Sequence, residues 1–204
     1  MQEYGRILLP VPNKLAVIIL NWRIINMDFK DQPFIPMLFG GDINTYSVAR
    51  AFYEEYQVKT YVFGKFPSGP SYNSNIIEYH ADLKIDTDDV FMKTVRDFAA
   101  AHADKTVLTI GCGDSYVALC SRHKDEMPEN VVAPYIDFEL MDRLQQKELF
   151  YRLCREHDID FPDTLVFRYG MDRILNCRFF PVILKPSNSV MYWEHEFPDP
   201  GKSI

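Results

Sequence analysis

Two apolar runs, each broken by glycines and an aspartate, constrain the fold of this chain more than any other feature. The first, Phe34 to Phe39, meets Gly40, Gly41 and Asp42; the second, Val107 to Ile110, meets Gly111, Cys112, Gly113 and Asp114. Short apolar runs bounded by glycine fit strands buried on both faces, and such strands belong to parallel sheets covered by helices. After the first turn Asn44 is placed to cap a helix whose apolar face is Val48, Ala49, Phe52, Tyr53 and Tyr56. After the second, a helix runs through Val117, Leu119 and Cys120. Both segments read as strand, glycine turn, helix.

Between them, Gln57 to Phe63 reads as a second strand, Gly64 to Asn75 as a surface loop, and Ile76 to Ile85 as holding a third strand. Asp86 and Thr87 offer N-caps for a helix with the stripe Phe91, Val95, Phe98 and Ala99, and a short strand is expected near Val131 to Ala133. This alternation predicts an α/β fold with a Rossmann-like parallel sheet over residues 34–137.

In open parallel sheets ligands sit beyond the carboxyl ends of the strands, where both glycine turns fall. Glycine lets a ligand approach the backbone, and a following helix N-terminus favours an anionic group. An adjacent aspartate suits an ammonium. Gly41, Asp42 and Asp114 therefore form a candidate amino-acid site. The same residues equally suit tight turns with capping aspartates.

The last third changes character. Asp137 caps a short helix with Leu140, Met141 and Leu144, and a longer helix carries Leu149, Phe150, Leu153 and Cys154 until Phe161-Pro162 ends it. Thr164 to Phe167 and Phe180 to Lys185 read as two further strands. A lysine ending a buried apolar strand needs an anion, because burying an unpaired ammonium costs several kcal/mol. Ser187, Asn188 and Ser189 supply polar donors beside it, and Lys147 lies on a helix leading toward the same region. Lys147, Lys185, Ser187 and Ser189 are thus candidates to hold a triphosphate, set against a solvated helix lysine and an ordinary polar loop.

Charge narrows the partners. Twenty-nine acidic against 22 basic residues give a formal charge of −7, which excludes a nucleic-acid partner held by phosphate neutralisation. The longest early apolar run, Leu15 to Leu20, is far short of the ~20 residues that span a bilayer, so no membrane partner is expected. No secretory signal is legible, and Cys112, Cys120, Cys154 and Cys177 lack C-x-x-C pairing, which points to a cytoplasmic protein. The five histidines show no metal-ligand spacing, and no metal site is expected. Gly201-Lys202-Ser203 imitates the end of a P-loop, but Glu196 stands where that motif needs glycine. Gly111-Cys112-Gly113 lacks the third glycine of a dinucleotide fingerprint, since Tyr116 occupies its place. Cys112, at a helix N-terminus, is weighed as a nucleophile and read instead as a small residue in a tight loop.

Taken together, Phe180-Pro181-Val182-Ile183-Leu184-Lys185-Pro186-Ser187-Asn188-Ser189, preceded by Asp142 to Lys147 and His157 to Thr164, resembles the opening of an ATP-grasp fold. Phe34 to Asn44, with Gly111 to Tyr116 and Pro134-Tyr135-Ile136-Asp137, is similar to bacterial carboxylate-amine ligases of the D-aspartate ligase type. The resemblance runs from about Met27 to the end. It implies a Rossmann-like pre-ATP-grasp domain over 34–137, the beginning of an ATP-grasp α+β subdomain over 138–204, and an N-terminal extension over 1–33.

The resemblance also implies a chemistry: ATP phosphorylates a carboxylate, and an amine attacks the acyl phosphate to give an amide. Lys147 and Lys185, with Ser187 and Ser189, would hold nucleotide phosphates, and Gly41, Asp42 and Asp114 would face an amino acid or other carboxylate substrate. Magnesium would accompany ATP. Only 19 residues follow Lys185, without the glycine-rich loop, adenine-binding strands or acidic magnesium ligands of the family. The expectation is a fragment that is inactive by itself. Two alternatives remain: a non-catalytic amino-acid or nucleotide binding module, and a Rossmann-like thiol enzyme using Cys112. Residues 1–26 are read as either an added extension or an edge strand through Leu15 to Leu20, and exposure of Val182, Ile183 and Leu184 predicts self-association.

Overall fold

The computed structural model of the chain describes residues 28–67, 69–167 and 181–188. The run Leu15 to Leu20, Phe180, Ser189 and the segment 194–203 lie outside the described residues.

Five parallel strands form one sheet: β1 (Phe34–Phe39), β2 (Thr60–Gly64), β3 (Ile77–Ala81), β4 (Thr106–Gly111) and β5 (Val131–Val132), in the order β3-β2-β1-β4-β5. β1 is central, pairing with β4 from Phe34↔Thr106 to Phe39↔Gly111 and with β2 from Met37↔Tyr61 to Phe39↔Phe63. Its side chains alternate between the two faces. Met37 and Phe39 join Phe63 and Val107 beneath α3 (Asp88–Ala101) and α4 (Asp114–Arg122), while Leu38 and Val62 face Ala49 of α1 (Ile43–Tyr56). The expected stripe of α3 is indeed its buried face: Phe91, Val95, Phe98 and Ala99 all lie in the core.

Chain direction places the site. From β1 the chain steps outward through α1 to β2 and through a short helix, α2 (Gly69–Tyr72), to β3; α3 then carries it back across the sheet to β4 on the other side of β1. The strand order therefore reverses between β1 and β4, and in open parallel sheets such a switch point is where ligands bind. Both glycine turns lie at its carboxyl end.

Several local expectations are corrected. Asp42, not Asn44, caps α1, because its carboxylate accepts the amides of Asn44 and Thr45. The stretch Gly64 to Asn75 contains α2 rather than loop alone. α5 (Phe138–Gln145) and α6 (Lys147–Glu156) follow Asp137 as expected, but α6 stops before Phe161-Pro162. Asp158 turns left-handed there at φ 54°, and the Ile159 amide closes on the Cys154 carbonyl at 2.8 Å. Thr164 to Phe167 and residues 181–185 form no strand. A strand exists only through its ladder, and no described strand pairs with either run.

Candidate functional site

The first wall of the candidate site is the turn after β1. Gly40 has φ +144°, and a Cβ there would lie 2.3 Å from Thr45 Oγ1; at Gly41 a Cβ would lie 2.5 Å from the Tyr79 hydroxyl. Asp42 then caps α1 with one oxygen, Oδ1, which accepts the Asn44 and Thr45 amides and the Thr45 hydroxyl at 3.1 Å each. Oδ2 accepts the Asn44 side-chain amide at 2.9 Å. The donors that an anion would use at α1 are thus already engaged by the protein's own carboxylate.

The second wall is the turn after β4. Gly111 has no room for a side chain, since a Cβ would lie 2.6 Å from the backbone of Tyr116 and Val117. Glycine here lets the first turn of α4 pack directly on the strand end. Gly113 occupies the N-cap of α4 and brings no side chain, so no side-chain cap covers that helix start, unlike α1. Asp114 opens the first turn with its side chain exposed. The two turns are joined directly, because the Cys112 amide donates to the Phe39 carbonyl at 2.8 Å.

Burial decides the chemistry of the thiol. Cys112 is pushed up to about 11, chiefly by burial, with a hydrogen bond to Thr45 opposing weakly. A thiol held that high is not a nucleophile near neutral pH, which supports its reading as a small residue in a tight loop. Cys120 behind it is pushed up to about 12, again by burial.

Around the turns stand residues that the sequence analysis did not name as site candidates. The Tyr79 hydroxyl donates to the Phe66 carbonyl at 2.7 Å and spans Gly41 and Gly64. The Tyr116 ring lies tilted against Phe39 at 6.2 Å between centroids, and its phenol is held above the usual range by burial, with the charge of Asp86 adding to the shift. Asp86 is paired with Lys65 at 2.7 Å, which ties the end of β2 to the start of α3. Tyr135 accepts the Gly111 amide at 2.7 Å. Alternation along β3 was the one available signal for Tyr79, whereas Tyr116 and Tyr135 stand within the motifs that carry the family resemblance.

The candidate phosphate residues are only partly gathered. Lys147 opens α6, and its amide donates to the Ser187 carbonyl at 2.9 Å, so these two meet. Lys185 follows three exposed residues, Val182, Ile183 and Leu184, and ends no buried strand. Its ammonium is exposed to water, so no buried charge there requires an anion. Ser189 lies outside the described residues. A groove of about 420 Å³ on the α3 side is lined by Tyr61, Phe63, His80 and Phe98 and contains no candidate residue. Among the described residues no group of three or more His, Cys, Asp and Glu side chains is arranged to hold a metal ion, and no helix is long and apolar enough to cross a membrane.

Fold and loops together define a doubly wound, Rossmann-like α/β domain whose two glycine turns lie at its switch point. Compared with known proteins, the chain is 37% identical over 185 residues to D-aspartate ligase of Enterococcus faecium (strain Aus0004), a match covering 86% of this chain and 44% of that protein. Over those residues the chain belongs to the family of that ligase, an ATP-grasp enzyme, and it spans less than half of the relative's length. No protein-family profile matches the chain, and no solved structure does.

Proposed function

We propose that residues 34–137 are the substrate-facing domain of an ATP-dependent carboxylate-amine ligase and that residues 138–204 begin its nucleotide-binding domain. The observation that carries this reading is the β1/β4 switch point, where both glycine turns meet, in a chain related to a D-aspartate ligase. The substrate is an amino acid, aspartate by the relative's name, with its ammonium near Asp42 and Asp114 and its carboxylate near the uncapped start of α4.

In the reaction, a carboxylate oxygen attacks the γ-phosphorus of ATP, the bond to the bridging oxygen breaks, and ADP leaves. The amine nitrogen then adds to the acyl carbon, the acyl–phosphate bond breaks, and the nitrogen loses a proton as inorganic phosphate departs. Lys147 and Ser187, which touch through the backbone, and Lys185 lie toward the phosphates; Ser189 is assigned the same role by its neighbours in sequence. Cations there offset charge on the transferred group. Magnesium would accompany ATP and offset phosphate charge; among the described residues no group of three or more His, Cys, Asp and Glu side chains is arranged to hold it.

The test is a thermal-shift and calorimetric titration of the 204-residue chain with D-aspartate, L-aspartate and ATP. A ligand that binds only the folded state stabilises it by about 2.7 kcal/mol at a hundredfold excess over Kd. Stabilisation by aspartate and by ATP, with loss of the ATP effect in Lys185→Ala, is expected. No response to either ligand overturns the reading. The polypeptide alone is expected to bind without turnover, since it spans 44% of the relative; amide product with ADP release would contradict that.

A further inference from the structure

The Gly111–Asp114 turn is held at both ends by one distant segment of the chain. At its start, the Gly111 amide donates to the Tyr135 hydroxyl at 2.7 Å. At its end, the Asp114 carbonyl accepts from Gln145 Nε2 at 2.8 Å. A further tie, the Cys112 amide to the Phe39 carbonyl, leads into the central strand. The ties at the two ends both come from residues 135–145.

That segment is seated along α4 step by step. The Ser121 hydroxyl donates to the Ile136 carbonyl at 2.7 Å, Lys124 pairs with Asp137 at 3.0 Å, and the Arg122 guanidinium lies 4.6 Å over the Phe138 ring. Tyr135 itself packs against the buried core. α5 then runs to Gln145, and two residues later the Lys147 amide reaches the Ser187 carbonyl. Ser187 is thus hydrogen-bonded to Lys147, which lies two residues along the backbone from Gln145, whose side chain holds the turn.

We propose that Tyr135 and Gln145 are positioning residues: they set the Gly111–Asp114 turn and make its geometry depend on the α5–α6 segment, so that nucleotide at Lys147 and Ser187 changes the affinity for the amino acid at the turn. The second part rests on the functional reading above; the grip itself does not. Coupling of this kind is reciprocal, and its demonstration requires a measured dependence of one affinity on the other ligand.

The experiment uses the 204-residue chain as wild type, Tyr135→Phe, Gln145→Glu and Gln145→Lys. Tyr135→Phe removes the acceptor for Gly111, Gln145→Glu removes the donor to Asp114 at constant shape, and Gln145→Lys restores a donor of similar reach. Hydrogen exchange of the peptide over residues 111–117 is expected to quicken several-fold in Tyr135→Phe and Gln145→Glu and to recover in Gln145→Lys, with β1 unchanged. Wild-type exchange in Gln145→Glu overturns the grip. If Tyr135→Phe fails to fold, the Gln145 pair decides. In the second arm, D-aspartate affinity is measured with and without saturating ATP. Wild type is expected to show at least a fivefold dependence that Gln145→Glu abolishes. Dependence retained in full by Gln145→Glu, or absent from a wild type that binds both ligands, overturns the coupling while the functional reading stands. A wild type that binds neither ligand ends the functional reading and with it the coupling, whereas exchange still decides the grip.

Discussion

Gly40 and Thr45 stand so close that a Cβ on Gly40 would lie 2.3 Å from Thr45 Oγ1. The threonine is fully buried and its hydroxyl donates to Asp42, so it has little room to move away. Gly40 also sits at φ +144°, a conformation that L side chains rarely adopt. Gly40→Ala is therefore expected to cost about 2 kcal/mol or more in urea unfolding. At Gly113 the nearest atom to a Cβ lies 3.9 Å away, so Gly113→Ala is expected to stay within about 0.5 kcal/mol of wild type. An unchanged urea midpoint for Gly40→Ala would show that the turn relaxes.

Asp42 carries two roles that substitution separates. As an N-cap it accepts two backbone amides, which alanine loses at a cost of about 1 kcal/mol and asparagine largely preserves. As a partner for a substrate ammonium it needs its negative charge. Asp42→Asn is expected to keep the thermal midpoint within a few degrees while aspartate affinity falls at least tenfold. If affinity survives in Asp42→Asn, capping is the residue's whole function.

Burial of Cys112 sets its reactivity and a stability slope. Because folding lifts this thiol from its ordinary 9.0 to about 11, its contribution is complete below pH 9 and is lost as pH rises toward 11. In the folded protein at about pH 8, iodoacetamide is expected to leave Cys112 unmodified and to label it once urea unfolds the chain. Rapid labelling of the native protein, with loss of ligand binding in Cys112→Ala, would revive the thiol-enzyme reading.

Asp88, at the start of α3, shows the opposite sign. Hydrogen bonds from Arg122 at 2.8 Å and from His123 at 2.6 Å hold its carboxyl below the ordinary 3.8. His123 also meets Glu126, which Arg96 approaches at 3.8 Å, so the first turn of α3 and the end of α4 share one ionic cluster. The stabilisation is present above the ordinary carboxylate value and is lost as pH falls through the lowered one. Melting curves of wild type and Asp88→Asn are expected to differ near neutral pH and to converge as pH falls through the lowered carboxyl value. Parallel curves across that range would remove Asp88 from the acid response.

Local patterns determined much of this protein. The apolar runs and glycine turns mark β1, β4 and the helices after them, and the stripe of α3 names its buried face, because burial and turn geometry act over a few neighbouring residues. The likeness to an ATP-grasp ligase was legible in the same motifs and is borne out by the comparison. The sequence placed both glycine turns at the carboxyl ends of strands; tertiary structure decided that those strands, β1 and β4, are neighbours, since strand order depends on which way α3 crosses the sheet. It also decided that Asp42 rather than Asn44 caps α1, that Tyr79, Tyr116 and Tyr135 close around the turns, and that residues 181–185 join no described strand. Each of these depends on hydrogen bonds or contacts between distant residues, and a strand in particular is defined by a partner that its own residues do not contain.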